Sequence, residues 1–254
     1  MNVTMQPHAH AVGDLDATAA RLPYPALAQA VAQVLVDPTV HVPPRLVQAL
    51  PGGGSLFVMP AQDSRVAMTK LITFTPGNAA RGLPTIQGDV LVFDVTTGQR
   101  LAMLDGPTVT ARRTAAVTLL AAQRLAPQPN GRLLVVGAGV QGRAHMEAFA
   151  AGLGTREVWV HSRSAASAQA LVAHAQGLGL EARVVAHPNE ALPHSAGGHM
   201  HACNRCGAGR KPGAKPLCGS GGRVHAGHGG AGSVPLPSRG SNRVGGGGHG
   251  FGPP

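Results

Sequence analysis

Val135-Val136-Gly137-Ala138-Gly139-Val140-Gln141-Gly142 carries an apolar run into a helical pattern, and its three glycines decide the fold of the second half of the chain. The spacing is G-x-G-x-x-G. The first glycine permits a tight turn, the second lets a pyrophosphate approach the backbone, and the third lets helix and strand pack closely. Working outward, residues 132–136 read as a strand, 141–150 as a helix and 157–161 as a strand. Residues 165–175 then read as a helix and 182–186 as a strand. This βαβαβ order predicts a parallel sheet with crossover helices over 127–194, one mononucleotide-binding half of a doubly wound, Rossmann-type domain. The phosphate-binding positions are then Gly137, Ala138, Gly139, Val140, Gln141 and Gly142, with free N–H groups at the helix start. Three glycines alone would also suit an ordinary turn; the strand, helix and second strand in register favour a dinucleotide.

The second strand ends at Val160-His161-Ser162-Arg163-Ser164. An acid about 20 residues past the glycines normally binds the ribose hydroxyls of NAD. None is present here. Arg163, flanked by Ser162 and Ser164, offers a guanidinium and hydroxyls suited to a 2′-phosphate, so NADPH is expected before NADH.

Ahead of this unit the pattern differs. Pro23-Tyr24-Pro25 opens a helix whose buried face is expected at Leu27, Val31, Val34 and Leu35, and Asp37-Pro38 ends it. Runs at 56–59, 66–74 and 90–96 read as strands. A turn at Thr97-Gly98 leads to a further strand over 101–104, a hairpin pattern. Residues 110–125 turn helical and alanine-rich. The expectation is an α+β domain over 1–126, giving an α/β chain overall.

Lys70 is the only lysine in residues 1–194, and alternation places it on one face with Val66, Met68, Ile72 and Phe74. A lysine there is costly unless it meets an anion, lines a site or snorkels from a strand end. Arg45 follows Pro43-Pro44 at an element boundary. Arg112-Arg113 falls in the first turns of a helix, where cations oppose the dipole and a bound anion or solvent would relieve them.

The chain has 254 residues, 43% of them apolar and 3% aromatic, with a formal charge of +10. That charge is local. Residues 1–194 carry 14 Lys and Arg against 11 Asp and Glu, whereas 195–254 carry 7 basic residues and no acid. The same 60 residues hold 19 Gly, 6 Pro and all three cysteines, Cys203, Cys206 and Cys218. Too little apolar surface is present to offset the entropy of ordering, so disorder is expected over 195–254. Such composition without acids is also what GC-rich DNA yields out of frame, and the frame is read here as changing near residue 195. One C-x-x-C with scattered partners is a poor zinc set, and no metal is expected. The basic tail lacks interleaved aromatics, which speaks against nucleic acid. No apolar run reaches the length of a membrane helix, and residues 1–16 lack a secretory pattern, so a cytoplasmic protein is expected.

VPPR (42–45), TKLITFTPGN (69–78), GLPTIQGDV (82–90), DGPTVTARRTAA (105–116) and GAGVQGRAH (137–145) together resemble the ornithine cyclodeaminase/mu-crystallin family. Within it the likeness is greatest to bacterial reductases of Δ1-pyrroline-2-carboxylate and Δ1-piperideine-2-carboxylate. The resemblance implies NADPH-dependent reduction of a cyclic imino acid to L-proline or L-pipecolate by a homodimer built through the first domain. It also implies that Arg45 clamps the substrate carboxylate, with Lys70 beside it as substrate-binding and catalytic residue. Thr85 and Arg113 are implied on the nicotinamide and phosphate side. Family members continue with a second half of the cofactor sheet, which residues 195–254 do not resemble. A mu-crystallin-type binder without turnover, an ornithine cyclodeaminase and an inactive truncated relic are the alternatives.

Overall fold

A computed structural model describes residues 14–126, 129–190, 198–201 and 223–225. The expected disorder over 195–254, and the three cysteines, otherwise lie outside the described residues.

The first region is a meander. Strands β1 (Leu46–Leu50), β2 (Gly54–Gln62), β3 (Val66–Phe74), β4 (Ile86–Asp94) and β5 (Arg100–Asp105) pair antiparallel in sequence order. Gly52 and Gly53, at φ +84° and +81°, make the β1–β2 turn that any residue with a Cβ would strain. Two helices precede the sheet. α1 (Leu15–Arg21) is capped by Asp14, whose carboxylate accepts from the Ala17 N–H at 2.8 Å. α2 (Tyr24–Val34) buries Tyr24 and Ala28, with Leu27 packed beside them. The expected face through Val34 and Leu35 is corrected: these are 46% and 73% exposed. The helix ends at Val34, and its fully buried residues, Tyr24 and Ala28, lie in its first two turns.

Helix α3 (Gly106–Leu125) begins four residues before the alanine-rich pattern becomes readable. Asp105 accepts from the Thr108 N–H at 2.7 Å as N-cap, and Pro107 fits the first turn. Its Ala111, Ala115, Ala116 and Leu119 pack against Ala144 and Ala148 of helix α4 (Val140–Leu153). A Cβ on Gly152 would meet the Leu119 side chain at 2.5 Å, so the small residues set the close approach. Thr118 meets His145, and Gln123 donates to the Gly152 carbonyl. The two helices therefore run in the same direction, with their N-terminal turns at one end.

The second sheet is built on β6 (Leu133–Val136), β7 (Glu157–His161) and β8 (Glu181–Val184), all parallel, with α5 (Ala165–Gly177) crossing between β7 and β8. β9 (Gly198–His201) pairs parallel with β6 on its other side, and β10 (Arg223–His225) pairs antiparallel with β9. The order β10-β9-β6-β7-β8 puts β9 where a doubly wound sheet reverses direction. Leu133, Val135, Val158 and Val160 form the core with Met146, Phe149, Ala168 and Leu171.

Candidate active site

The β-ladder brings distant residues into one row. Lys70 lies opposite Met59 on one side and Val90 on the other. Leu46, the first residue of β1, faces Val58, so Arg45 just before the strand falls in line with Met59 and the row of Lys70. Arg113 reaches the same place from α3. Desolvation first, and then the charges of Arg113 and Arg45, hold the Lys70 amine below the usual lysine range. Desolvation and Arg45 likewise weigh against the charge on Arg113. Among the described residues no carboxylate pairs with any of these three cations. Three converging positive groups without a described acid have the charge to attract an anion.

Lys70 Nζ donates to Thr110 Oγ1 at 2.9 Å. Thr110 and Thr114 follow one another along α3, their hydroxyls donating to the carbonyls of Gly106 and Thr110, and one turn further the Thr118 hydroxyl lies 3.1 Å from His145 Nε2. Arg112 turns the other way. Its Nε donates to the Leu22 carbonyl at 2.7 Å, and its guanidinium sits 3.9 Å from the centre of the Tyr24 ring. The adjacent arginines thus have different surroundings, and only Arg113 joins the cation cluster. Thr85 sits at the entry to β4, where its carbonyl accepts from the Thr75 N–H at 2.8 Å. Buried Asn78 fastens that loop by donating to the Pro84 carbonyl at 2.9 Å. No polar contact joins the Thr85 hydroxyl to the cluster among the described residues.

The glycine turn has the geometry of a phosphate cradle. Gly137 has φ +106°, and its N–H donates to the His161 carbonyl at 2.8 Å. A Cβ on Gly142 would stand 2.0 Å from the Gly137 oxygen. Gly139 is the N-cap of α4 and brings no side-chain acceptor, which leaves the first N–H groups of the helix for a ligand. A dinucleotide therefore fits the backbone here. Val140 is exposed and Gln141 half-buried, its Oε1 without a partner. Ser162, Arg163 and Ser164 follow β7 beside this turn, and Arg163 is exposed. Ser164 is partly committed: its Oγ caps α5 by accepting from the Ser167 N–H at 3.2 Å.

Sequence reasoning missed several residues that join these parts. Burial pushes the His145 imidazole below the usual histidine range, against the pull of its bond to the Gln141 carbonyl. Its Nδ1–H donates to that carbonyl at 2.6 Å, and Nε2 accepts from Thr118 at 3.1 Å. Glu147 on α4 accepts from Tyr24 on α2 at 3.0 Å, from Arg143 at 3.0 Å and from His174 on α5 at 2.8 Å. A histidine three residues past the glycine motif can be read from the sequence; its partner on α3 cannot. No helix among the described residues is long and apolar enough to cross a membrane.

Residues 5–195 match the model of the ornithine cyclodeaminase/mu-crystallin family. The chain is 45% identical over 167 residues to Delta(1)-pyrroline-2-carboxylate reductase 1 of Burkholderia multivorans, covering 64% of this chain and 54% of that protein. It is 44% identical over 165 residues to the Delta(1)-pyrroline-2-carboxylate/Delta(1)-piperideine-2-carboxylate reductase of Azospirillum brasilense, covering 64% and 53%. The solved structure of Thermococcus litoralis Delta(1)-pyrroline-2-carboxylate reductase, in complex with NADH and L-proline, shares the fold. Its TM-score is 0.56 at 24% identity, over 73% of this chain and 57% of that one. The chain spans about half the length of the curated relatives it matches.

Proposed function

The chain belongs to the ornithine cyclodeaminase/mu-crystallin family, and we propose that it reduces a small cyclic imino acid with NADPH. The observation that carries this reading is the Arg45, Lys70 and Arg113 cluster, unpaired by any described carboxylate, on the sheet that α3 adjoins. Because α3 and α4 run parallel, that cluster and the glycine turn belong to the same end of the helix pair. The names of the relatives and the NADH and L-proline of the Thermococcus litoralis complex support the same choice.

In this reading residues 1–126 form the substrate and dimerisation domain and 127–194 the cofactor-binding domain. Arg45 holds the substrate carboxylate through two parallel N–H donors, and Lys70 adds a further donor beside it. Gly137–Gly142 and the start of α4 hold the diphosphate, while Arg163 with Ser162 takes the 2′-phosphate and favours NADPH over NADH. Thr85 and Arg113 serve the nicotinamide side. The dihydronicotinamide, when bound, supplies a hydride. The chain's own residues fix the imine so that its C2 accepts the hydride while the ring nitrogen, already protonated, becomes the amine. Cationic neighbours around Lys70 favour the carboxylate form of the substrate and fix its orientation. A homodimer formed through the antiparallel sheet, in a cytoplasmic setting, completes the proposal.

The test is direct. Chain incubated with Δ1-pyrroline-2-carboxylate and NADPH is expected to yield L-proline and NADP+ in equal amounts. Arg45→Ala is expected to raise KM by roughly tenfold or more, as removal of a charged clamp requires. NADPH binding without imine-dependent oxidation would instead make the protein a binder of mu-crystallin type.

A further inference from the structure

We propose that Thr110 is a positioning residue for Lys70, holding its ammonium so that the two remaining N–H donors face the carboxylate site. The inference rests on reading the Arg45, Lys70 and Arg113 cluster as that site. Thr110 Oγ1 donates its single proton to the Gly106 carbonyl at 2.7 Å, so toward Lys70 Nζ, 2.9 Å away, it can only accept. A β-branched residue bonded back to the preceding turn has its hydroxyl fixed by χ1, and the acceptor is therefore placed before any ligand arrives.

Thr110 also answers an electrostatic problem. Lys70 is half-buried and faces Arg113 from α3 and Arg45 from just before β1, with no described carboxylate to balance them. An acid in this place would hold the ammonium but would also repel the substrate carboxylate. A neutral hydroxyl that only accepts favours the charged form of Lys70 without occupying the anion's position. Thr110 and Arg113 are three residues apart on α3, so one helix face sets two of the cluster's polar groups together.

Titration of Lys70 in the absence of ligand tests this. Trace acetylation of the full chain across pH, read by mass spectrometry on the Lys70 peptide, follows the free amine. Thr110→Val and Thr110→Ala are expected to move the Lys70 midpoint down by about one pH unit, because a hydrogen bond to the charged form is lost. Thr110→Ser is expected to titrate like the parent. Affinity for pyrrole-2-carboxylate, a stable planar carboxylate, should fall by roughly fivefold in the valine and alanine variants and recover in the serine one. A purely structural role would change the melting temperature and leave the midpoint in place. An unchanged midpoint in both Thr110→Val and Thr110→Ala overturns the proposal, as does a serine variant that shifts like valine. Failure of pyrrole-2-carboxylate to bind the parent chain would remove the carboxylate reading, while the ligand-free midpoint still decides whether Thr110 holds Lys70.

Discussion

The two sheets of this molecule solve the same burial problem in opposite ways. In the second sheet four-residue and five-residue strands bring Leu133, Leu134, Val135, Val158 and Val160 to 0–1% exposure. Parallel strands are flanked by crossover helices and bury both faces. In the first sheet β2, β3 and β4 are nine residues each, yet of their large apolar side chains only Ile72 and Val90 are fully buried. An antiparallel meander needs no crossover helices, and here α3 covers only part of it, around Ile72 and Val90, leaving much of the sheet open. The difference teaches where chemistry goes: the packed sheet contributes backbone, in the form of a rigid glycine turn. The open sheet contributes side chains, which is where an uncompensated cluster of cations can stand.

The contrast can be broken by mutation, beginning with the core. Leu133→Ala is expected to cost about 3 kcal/mol, against less than about 1 kcal/mol for Leu71→Ala, which is 40% exposed. Urea unfolding of both variants measures the gap, and equal costs would erase the distinction. Next comes the backbone. Gly142→Ala places a Cβ 2.0 Å from the Gly137 oxygen, which no rotamer change can relieve. It is expected to lose about 2 kcal/mol of stability and roughly tenfold or more in NADPH affinity, measured by fluorescence titration.

A smaller effect lies at the joint between the regions. Burial alone would raise the Glu147 carboxyl, but hydrogen bonds from Arg143, His174 and Tyr24 outweigh it and hold the group below the usual 4.5. Stability from this contact is therefore full above that value and is lost as pH falls through the lower folded one. Glu147→Gln should flatten the acid side of the stability curve, seen as parent and variant converging in urea midpoint below about pH 4. Parallel curves would show that Glu147 does not tie α2 to α4 and α5. The smallest effect belongs to exposed Arg163: Arg163→Ala is expected to lower the NADPH-over-NADH preference by about fivefold to tenfold, read from the two dissociation constants.

How legible each sheet was follows from the same contrast. β7 at Glu157–His161 and β3 at Val66–Phe74 stand where the apolar pattern put them, because burial imposes a period on sequence. β1 was invisible: Leu46 and Val47 are more than half exposed, so alternation carries no signal there. α1 was missed because its seven residues bury only Thr18. In the site, the glycine turn was readable since backbone constraints select glycine. Lys70 stood out by parity, but its partner Thr110 lies 40 residues away and meets it only through α3 crossing the sheet. The same holds for Tyr24 and Glu147, 123 residues apart. Such pairs depend on tertiary packing that local pattern cannot encode.

The proposed union of the two regions is tested most directly by following the hydride. Reaction of the chain with Δ1-pyrroline-2-carboxylate and NADPH deuterated at both C4 positions should give L-proline with one deuterium, at C2. That label requires imine and cofactor to be held together by the open sheet and the glycine turn. Unlabelled proline, or bound NADPH that is never consumed in the presence of imine, would contradict the reductase reading.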